Sequence, residues 1–371
     1  MIIGILKESK PENRVSLLAD HVAGLIKKGI TVQVEKDAGS SAFCFDSDYE
    51  KAGAKISTFQ KIIASSDILL SFQIPASLNG VQKGTIIIGV FQPMFNAGLM
   101  KEWAEKGLTC FSMDMLPRTT RAQTMDVLSS QANIAGYKAV LLAANTYSRY
   151  FPMFMTAAGS IIPAKVLILG AGVAGLQAIA TAKRLGAVVE VFDTRPAVKE
   201  EVNSLGAKFI EVEGAVDASM AGGYAVEQTE EYKQKQHARI AESIAKSDIV
   251  ITTAQVPGKK APILITEVML NAMRNGSVII DLASATGGNT PFTKNNETVV
   301  HHGVSIIGNS NLQSTMPSDA SKLYGKNILN FMQLIIDKEN NINLNWEDDL
   351  VKGCCMAHDG EVKNELIKSL L

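Results

Sequence analysis

VLILGAGVAGLQAIATAKRLGAVVEVFD, residues 166–193, decides how the chain folds. The apolar run 166–169 suits a buried parallel strand. Gly170, Gly172 and Gly175 follow at the spacing of a dinucleotide-binding turn, with Ala171, Val173 and Ala174 between them. An amphipathic helix then reaches about Leu185, with Leu176, Ile179 and Leu185 able to face a sheet. Gly186 is placed to cap that helix. Residues 188–192 make a second strand, and Asp193 ends it. In such a unit Gly170 permits the tight turn, Gly172 lets a pyrophosphate approach the backbone, and Gly175 lets helix and strand pack closely. The free N–H groups and dipole of the helix start favour the phosphates. Asp193 is placed to accept hydrogen bonds from an adenosine ribose and to repel a 2′-phosphate, which selects NAD over NADP. Thr194 lies beside it. Arg195, just beyond, either contacts a phosphate or lies solvated at the surface.

Two domains are the natural expectation for 371 residues. With 46% hydrophobic and 20% charged residues and a net charge of −1, the chain has a globular profile without the basic balance of a nucleic-acid binder. Gly, Pro or charge interrupts every apolar run well before the length of a membrane span. The start, MIIGILKESK, reads as a strand followed by charge rather than a signal peptide. Cys44, Cys110, Cys354 and Cys355 have no metal or redox spacing, which points to a reduced, cytoplasmic chain without a metal site. Adjacent Cys354 and Cys355 are expected to alternate faces of a strand.

Residues 1–116 alternate strands (2–6, 32–35, 68–72, 85–91 and 108–111) with helices (17–28, 47–52, 59–64 and 96–106). That pattern predicts a second parallel sheet with helical crossovers. Lys7, Glu8 and Arg14 cluster after the first strand, where α/β sheets place ligands. The polar run around them fits either a ligand loop or a solvated connection.

The second informative stretch is MLPRTTRAQTMDVLSSQANIAGYKAV, residues 115–140. It gathers Arg118, Arg121, Gln123, Asp126, Ser129, Ser130, Gln131 and Asn133 with few large apolar side chains between them. These groups have fixed hydrogen-bond geometry, unlike a Lys/Glu surface run. The run is expected to be a loop suited to a nicotinamide carboxamide and ribose, followed by an apolar helix over 134–147. This run resembles the signature of proton-translocating nicotinamide nucleotide transhydrogenase, in the family that also contains alanine dehydrogenase. Residues 166–187, 192–209, TTAQVPGKKAPILIT at 252–266 and GSVIIDLASATGGN at 276–289 are similar to that family as well. The resemblance covers Met1 to about Asn330, and more loosely the rest of the chain. It implies the NAD(H)-binding component of the enzyme, with Arg118, Gln123, Asp126 and Ser129 at the hydride-transfer site. It further implies NADP(H) on a partner subunit, a homodimer, and a peripheral position on the inner face of the cytoplasmic membrane beside the membrane subunits. Residues 211–233 would be a loop that closes over the nucleotide, with Tyr224 as its tyrosine.

The remaining elements fit an α/β fold of two Rossmann-like parallel-sheet domains, the glycine-motif domain (131–309) inserted in a discontinuous first domain (1–130 and 310–371). Residues 248–253, 277–282 and 304–308 read as strands, 304–308 being the last strand of this sheet. Thr253, Ala254, Leu282 and Ala283 at strand ends are candidate nucleotide contacts. A helix capped by Ser318 or Asp319 is expected to run through Ile335, followed by a strand pair near 342–346 and 351–356.

The alternatives are alanine dehydrogenase and a non-catalytic NAD-binding module. Reductive amination needs a proton-transfer group. Arg14 matches a substrate arginine of alanine dehydrogenase. The lysine expected near Ser71 and the histidine expected after Gly89 are absent. His21, His237, His301, His302 and His358 are expected in helices or loops away from the cleft. The intact Arg118, Gln123 and Asp126 argue against a non-catalytic module. There are two departures from the family: SNLQSTM at 310–316, where it tends to carry a proline and an arginine, and Ser71, where a lysine is usual among transhydrogenases as well.

Overall fold

The structure is a computed structural model that describes residues 1–212 and 229–371. Tyr224 and most of the expected 211–233 loop lie outside the described residues. The chain divides into two compact units, Met1–Gln131 with Gln313–Leu371, and Ala132–Leu312.

In the first unit β1 (Ile2–Ile5), β2 (Thr31–Glu35), β3 (Lys55–Ser57), β4 (Ile68–Leu70), β5 (Ile86–Gly89) and β6 (Thr109–Ser112) alternate with α1 (Ala19–Lys27), α2 (Asp46–Lys51), α3 (Phe59–Ser65) and α4 (Ala97–Glu105). These six strands are parallel, in the order β6-β5-β4-β1-β2-β3. The order reverses between β1 and β4, where an open α/β sheet forms its crevice. Successive residues feed opposite cores: Ile68 and Leu70 pack on one face, Leu69 on the other. Burial on both faces explains why these strands are runs of Ile and Leu rather than alternating patterns.

The helix α5 (Val127–Thr146) leads into the second unit. There a short hairpin, β7 (Phe154–Thr156) and β8 (Gly159–Ile161), precedes the main sheet. The glycine-motif unit is as expected: β9 (Lys165–Leu169), α6 (Val173–Arg184) and β10 (Val188–Phe192), with Gly186 in the left-handed region at φ 84°. Next come α7 (Lys199–Ser204), β11 (Lys208–Phe209), α8 (Glu230–Ile244), β12 (Ile249–Thr252), α9 (Glu267–Asn271), β13 (Val278–Asp281), β14 (Glu297–His301) and β15 (Val304–Gly308). Strand order is β11-β10-β9-β12-β13-β15-β14, with the reversal between β9 and β12. The strand at 304–308 is the last of this sheet in chain order, as expected, and β14 pairs antiparallel on its outer side. Its exposed Glu297, Thr298 and Val300 mark it as an edge strand.

The chain returns to the first unit through α10 (Pro317–Met332). Neither Ser318 nor Asp319 caps it: Met316 is the cap residue and Pro317 opens the helix, where a missing N–H costs nothing. Ile335 is buried just past its end. The strand pair expected near 342–346 and 351–356 is not formed. Residue 342 makes a single bridge to Ile336, and Asp348 caps a helix α11 (Asp349–Cys354), accepting from the N–H groups of Leu350 and Val351. Cys354 therefore ends a helix, and Cys355 begins β16 (Cys355–His358), which lies antiparallel to β6 and to β17 (Glu361–Val362). His301 and His358 are thus strand residues, contrary to expectation; His358 bonds Thr109 at 2.9 Å and packs against Trp346. Both main sheets are parallel, each with antiparallel pairing at one edge.

Two glycines of the second unit hold backbones in contact. A Cβ on Gly175 would overlap the carbonyl oxygen of Gly170, and one on Gly136 of α5 would overlap the carbonyl oxygen of Ala174. Alanine in place of a helix glycine ordinarily gains up to about 1 kcal/mol. Here the clash reverses the sign: Gly136→Ala is expected to lower stability by about 1–3 kcal/mol in denaturant unfolding. An equal or higher midpoint would contradict the close approach.

Candidate functional site

The first group of site residues surrounds the glycine turn. Gly170 has φ 107°, and a Cβ there would strike Thr253 Oγ1. That hydroxyl donates to the carbonyls of Leu169 and Gly170 at 3.2 Å each, tying the end of β12 to the turn. Among the described residues nothing lies within 4 Å of the Cβ position of Gly172, so these residues leave the turn open where a pyrophosphate would approach. Ala171 is buried, Val173 exposed and Ala174 half-buried. Asp193, at the end of β10, accepts from the Ala171 N–H at 2.7 Å and pairs with Arg195 at 2.7 Å. Arg195 is half-buried, and its guanidinium closes over Asp193. Thr194 is half-buried beside them.

Ala254 and Leu282 end the neighbouring strands as expected. Their carbonyls accept from Asn289 Nδ2 at 2.9 Å and Gln255 Nε2 at 2.8 Å. Ala283 is fully buried, its N–H bound to Asp281 Oδ1. Sequence reading missed the work of Asp281. Its buried carboxylate also takes the Asn289 N–H at 2.6 Å and the Thr293 hydroxyl at 2.7 Å, folding the 287–293 turn around itself. The network holds the 287–293 turn against the end of β13.

The second group lies in the first unit. The polar run around Arg118–Asn133 is not the loop expected. Thr120–Met125 forms 3-10 turns anchored by buried Ala122 and Met125, and α5 begins at Val127. Asp126 supplies the start signal: its Oδ1 accepts from the Ser129 N–H at 2.9 Å, and its Oδ2 from the Ser129 hydroxyl at 2.6 Å. The exposed Arg118 and Gln123 and the half-buried Asp126 line a cavity of about 280 Å³, together with Pro117 and Thr119. Ser129 reaches this recess through Asp126. Arg121 turns away from this cluster: its guanidinium forks onto Asp348 at 2.6 and 2.7 Å and also meets Asp349.

The run is clamped from α10. Asn327 and Asn330 both donate to the Thr124 carbonyl, at 2.8 and 3.0 Å, while Asn327 Oδ1 accepts from Ser130 at 2.8 Å. One carboxamide therefore holds the chain on both sides of Asp126. No spacing rule links residues this far apart in sequence.

Arg14 is 2% exposed. It binds Glu12 through Nε at 2.7 Å and Nη2 at 2.6 Å, gives Nη1 to Gln131 at 2.9 Å, and lies 3.7 Å over the Phe72 ring. Burial alone would raise the Glu12 carboxyl, but the hydrogen bonds and charge of Arg14 hold it down to about 2. Glu8 goes the other way. Burial raises it to about 7, only partly offset by the N–H groups of Phe72 and Gln73 and the Ser71 hydroxyl. It sits at the β1–β4 reversal, linking the two strand ends.

An open glycine turn with an acid at the end of the next strand, set in a doubly wound sheet, defines a dinucleotide-binding fold. The chain belongs to the alanine dehydrogenase/PNT family: the N-terminal domain model matches residues 4–135, and the C-terminal domain model matches residues 139–365. It is 44% identical to the Rickettsia prowazekii protein named as the first portion of NAD(P) transhydrogenase subunit alpha, over 99% of this chain and 97% of that protein. A solved transhydrogenase from Sinorhizobium meliloti is 45% identical with a TM-score of 0.89, covering 98% of this chain and all of that one. Alanine dehydrogenase of Staphylococcus saprophyticus is more distant, at 28% identity over 91% of this chain and 88% of that protein. Among the described residues no helix is long and apolar enough to cross a membrane, and no cluster of His, Cys, Asp and Glu could hold a metal ion.

The raised Glu8 carboxyl has a consequence for stability. Between pH 4.5, its ordinary value, and about 7, the unfolded chain loses this proton while the folded chain keeps it. The contribution is full below 4.5 and is lost as pH rises toward 7. Glu8→Gln is expected to remove that part of the slope, so denaturation midpoints at pH 5 and pH 8 differ less in the variant. Parallel profiles would show that Glu8 is ionised throughout.

Proposed function

We propose that this chain is the NAD(H)-binding component of a proton-translocating transhydrogenase. The observation that carries the reading is the clamped recess of Arg118, Gln123 and Asp126, polar but without a histidine or lysine among its lining side chains. When bound, NAD(H) supplies or accepts a hydride at its nicotinamide. Hydride transfer between two nicotinamides moves no proton at the reacting carbons, so the protein has to position the rings and keep water away.

The roles follow from the donor set. Gly170 to Gly175 receive the pyrophosphate on backbone N–H groups. Asp193 accepts from the adenosine ribose. Thr253, Ala254 and Leu282 form the strand-end rim. Arg118 and Gln123 offer the guanidinium and carboxamide that fix a nicotinamide carboxamide and its ribose. Asp126 and Ser129 act as one unit, the hydroxyl orienting the carboxylate. Alanine dehydrogenase chemistry is disfavoured on two counts: Arg14 is enclosed by Glu12, Gln131 and Phe72, and the histidine expected after Gly89 is missing. In this reading NADP(H) sits on a partner subunit, and proton movement belongs to membrane subunits. The chain is a homodimer, held peripherally on the inner face of the cytoplasmic membrane.

Two assays test the reading. Purified chain that binds NADH should not oxidise it with pyruvate and ammonium; turnover would make it an alanine dehydrogenase. With the NADP(H)-carrying component of a relative added, hydride transfer should appear. Asp126→Asn should then retain NADH binding, since asparagine caps a helix as well as aspartate. It should slow transfer about 10–100-fold, the scale of a lost positioning contact. Unchanged transfer would remove Asp126 from the site.

A further inference from the structure

The Asp193 carboxylate has its acceptor positions filled. Oδ1 accepts from the Arg195 N–H at 2.9 Å and from Arg195 Nε at 2.9 Å. Oδ2 accepts from the Ala171 N–H at 2.7 Å and from Arg195 Nη2 at 2.7 Å. A carboxylate has about four acceptor sites, so none is left for a ribose diol. Asp193 is 8% exposed. Two of its four donors are backbone N–H groups fixed by the strand end and the glycine turn. The other two belong to one guanidinium on a rotatable stem. Only that group can leave without unfolding the turn.

We infer that Arg195 is a specificity-determining latch: its guanidinium occupies the ribose-recognising face of Asp193 and must be displaced when NAD(H) binds. The inference rests on reading residues 166–193 as the NAD(H) site. The latch acts on the two nucleotides in opposite directions. Against NADH it is a competitor, because the ribose hydroxyls need the oxygens that Arg195 holds. Against NADPH it is a shield, because the ion pair is neutral and hides the carboxylate charge from the 2′-phosphate. Removing the guanidinium takes away both effects. A phosphate ligand would behave differently, since its loss weakens both nucleotides, and NADPH at least as much as NADH.

The test is equilibrium titration of the full chain with NADH and with NADPH, followed by nucleotide fluorescence, for wild type, Arg195→Gln and Arg195→Lys. Thermal melts establish that each variant is folded. Arg195→Gln is expected to tighten NADH about fivefold and weaken NADPH by about the same factor, the scale of one partly buried charge pair. Arg195→Lys keeps the charge without the two-pronged fit and should fall between wild type and Gln. Weaker NADH binding in Arg195→Gln, or an equal change for both nucleotides, overturns the latch while leaving the NAD(H) site intact. Wild-type chain that binds neither nucleotide overturns the NAD(H) reading and the latch with it, without reference to any variant.

Discussion

Backbone lies directly on backbone at the glycine turn, and the site geometry of the second unit depends on that contact. Gly175 brings the start of α6 against the Gly170 carbonyl, and Gly136 brings α5 against the Ala174 carbonyl. A methyl group at either place would push the turn away from its neighbours. The turn also carries the Ala171 N–H that grips Asp193 and the Gly170 carbonyl that accepts from Thr253. A small displacement here would therefore move the N–H groups of the turn, the Asp193 carboxylate and the end of β12 together. Interiors packed at crystal density leave little slack to absorb it.

Charge in the first unit is handled inwardly. Arg14 and Glu12 neutralise each other under full burial, Gln131 and Phe72 take the remaining faces of the guanidinium, and Glu8 bridges the β1 and β4 ends. A buried pair of this kind persists because each polar atom has a partner; breaking it would strand a charge. The recess at Arg118, Gln123 and Asp126, by contrast, offers polar groups outward. It suits chemistry that needs alignment and little proton traffic.

The α/β class and the glycine-motif unit were legible in the sequence because they obey local rules: apolar runs for two-faced strands, three spaced glycines, a terminal acid. The run at 118–133 was misread as a loop because its polar residues lack helical periodicity. Its helix start is nevertheless written in Asp126 and Ser129, three residues apart as a cap requires. The 351–356 segment failed for a different reason: a short apolar run does not distinguish strand from helix, and the Asp348 cap decides it. Three features had no local signal at all. The Gly136 contact, the Asn327 clamp and the closure of Arg195 over Asp193 depend on tertiary neighbours or rotamer choice. The last lies outside both sequence readings of Arg195, a phosphate contact or a solvated side chain, neither of which pairs it with Asp193.

The fate of the hydride decides between direct transfer and dehydrogenase chemistry. NADH carrying deuterium at the transferring C4 position should be given to the chain together with an NADP+-loaded partner component from a related transhydrogenase. Direct transfer predicts that the deuterium is found in NADPH with none lost to water, because the two nicotinamides meet without an exchangeable intermediate. Deuterium in the solvent, or in alanine when pyruvate and ammonium are the only acceptors that work, would contradict it.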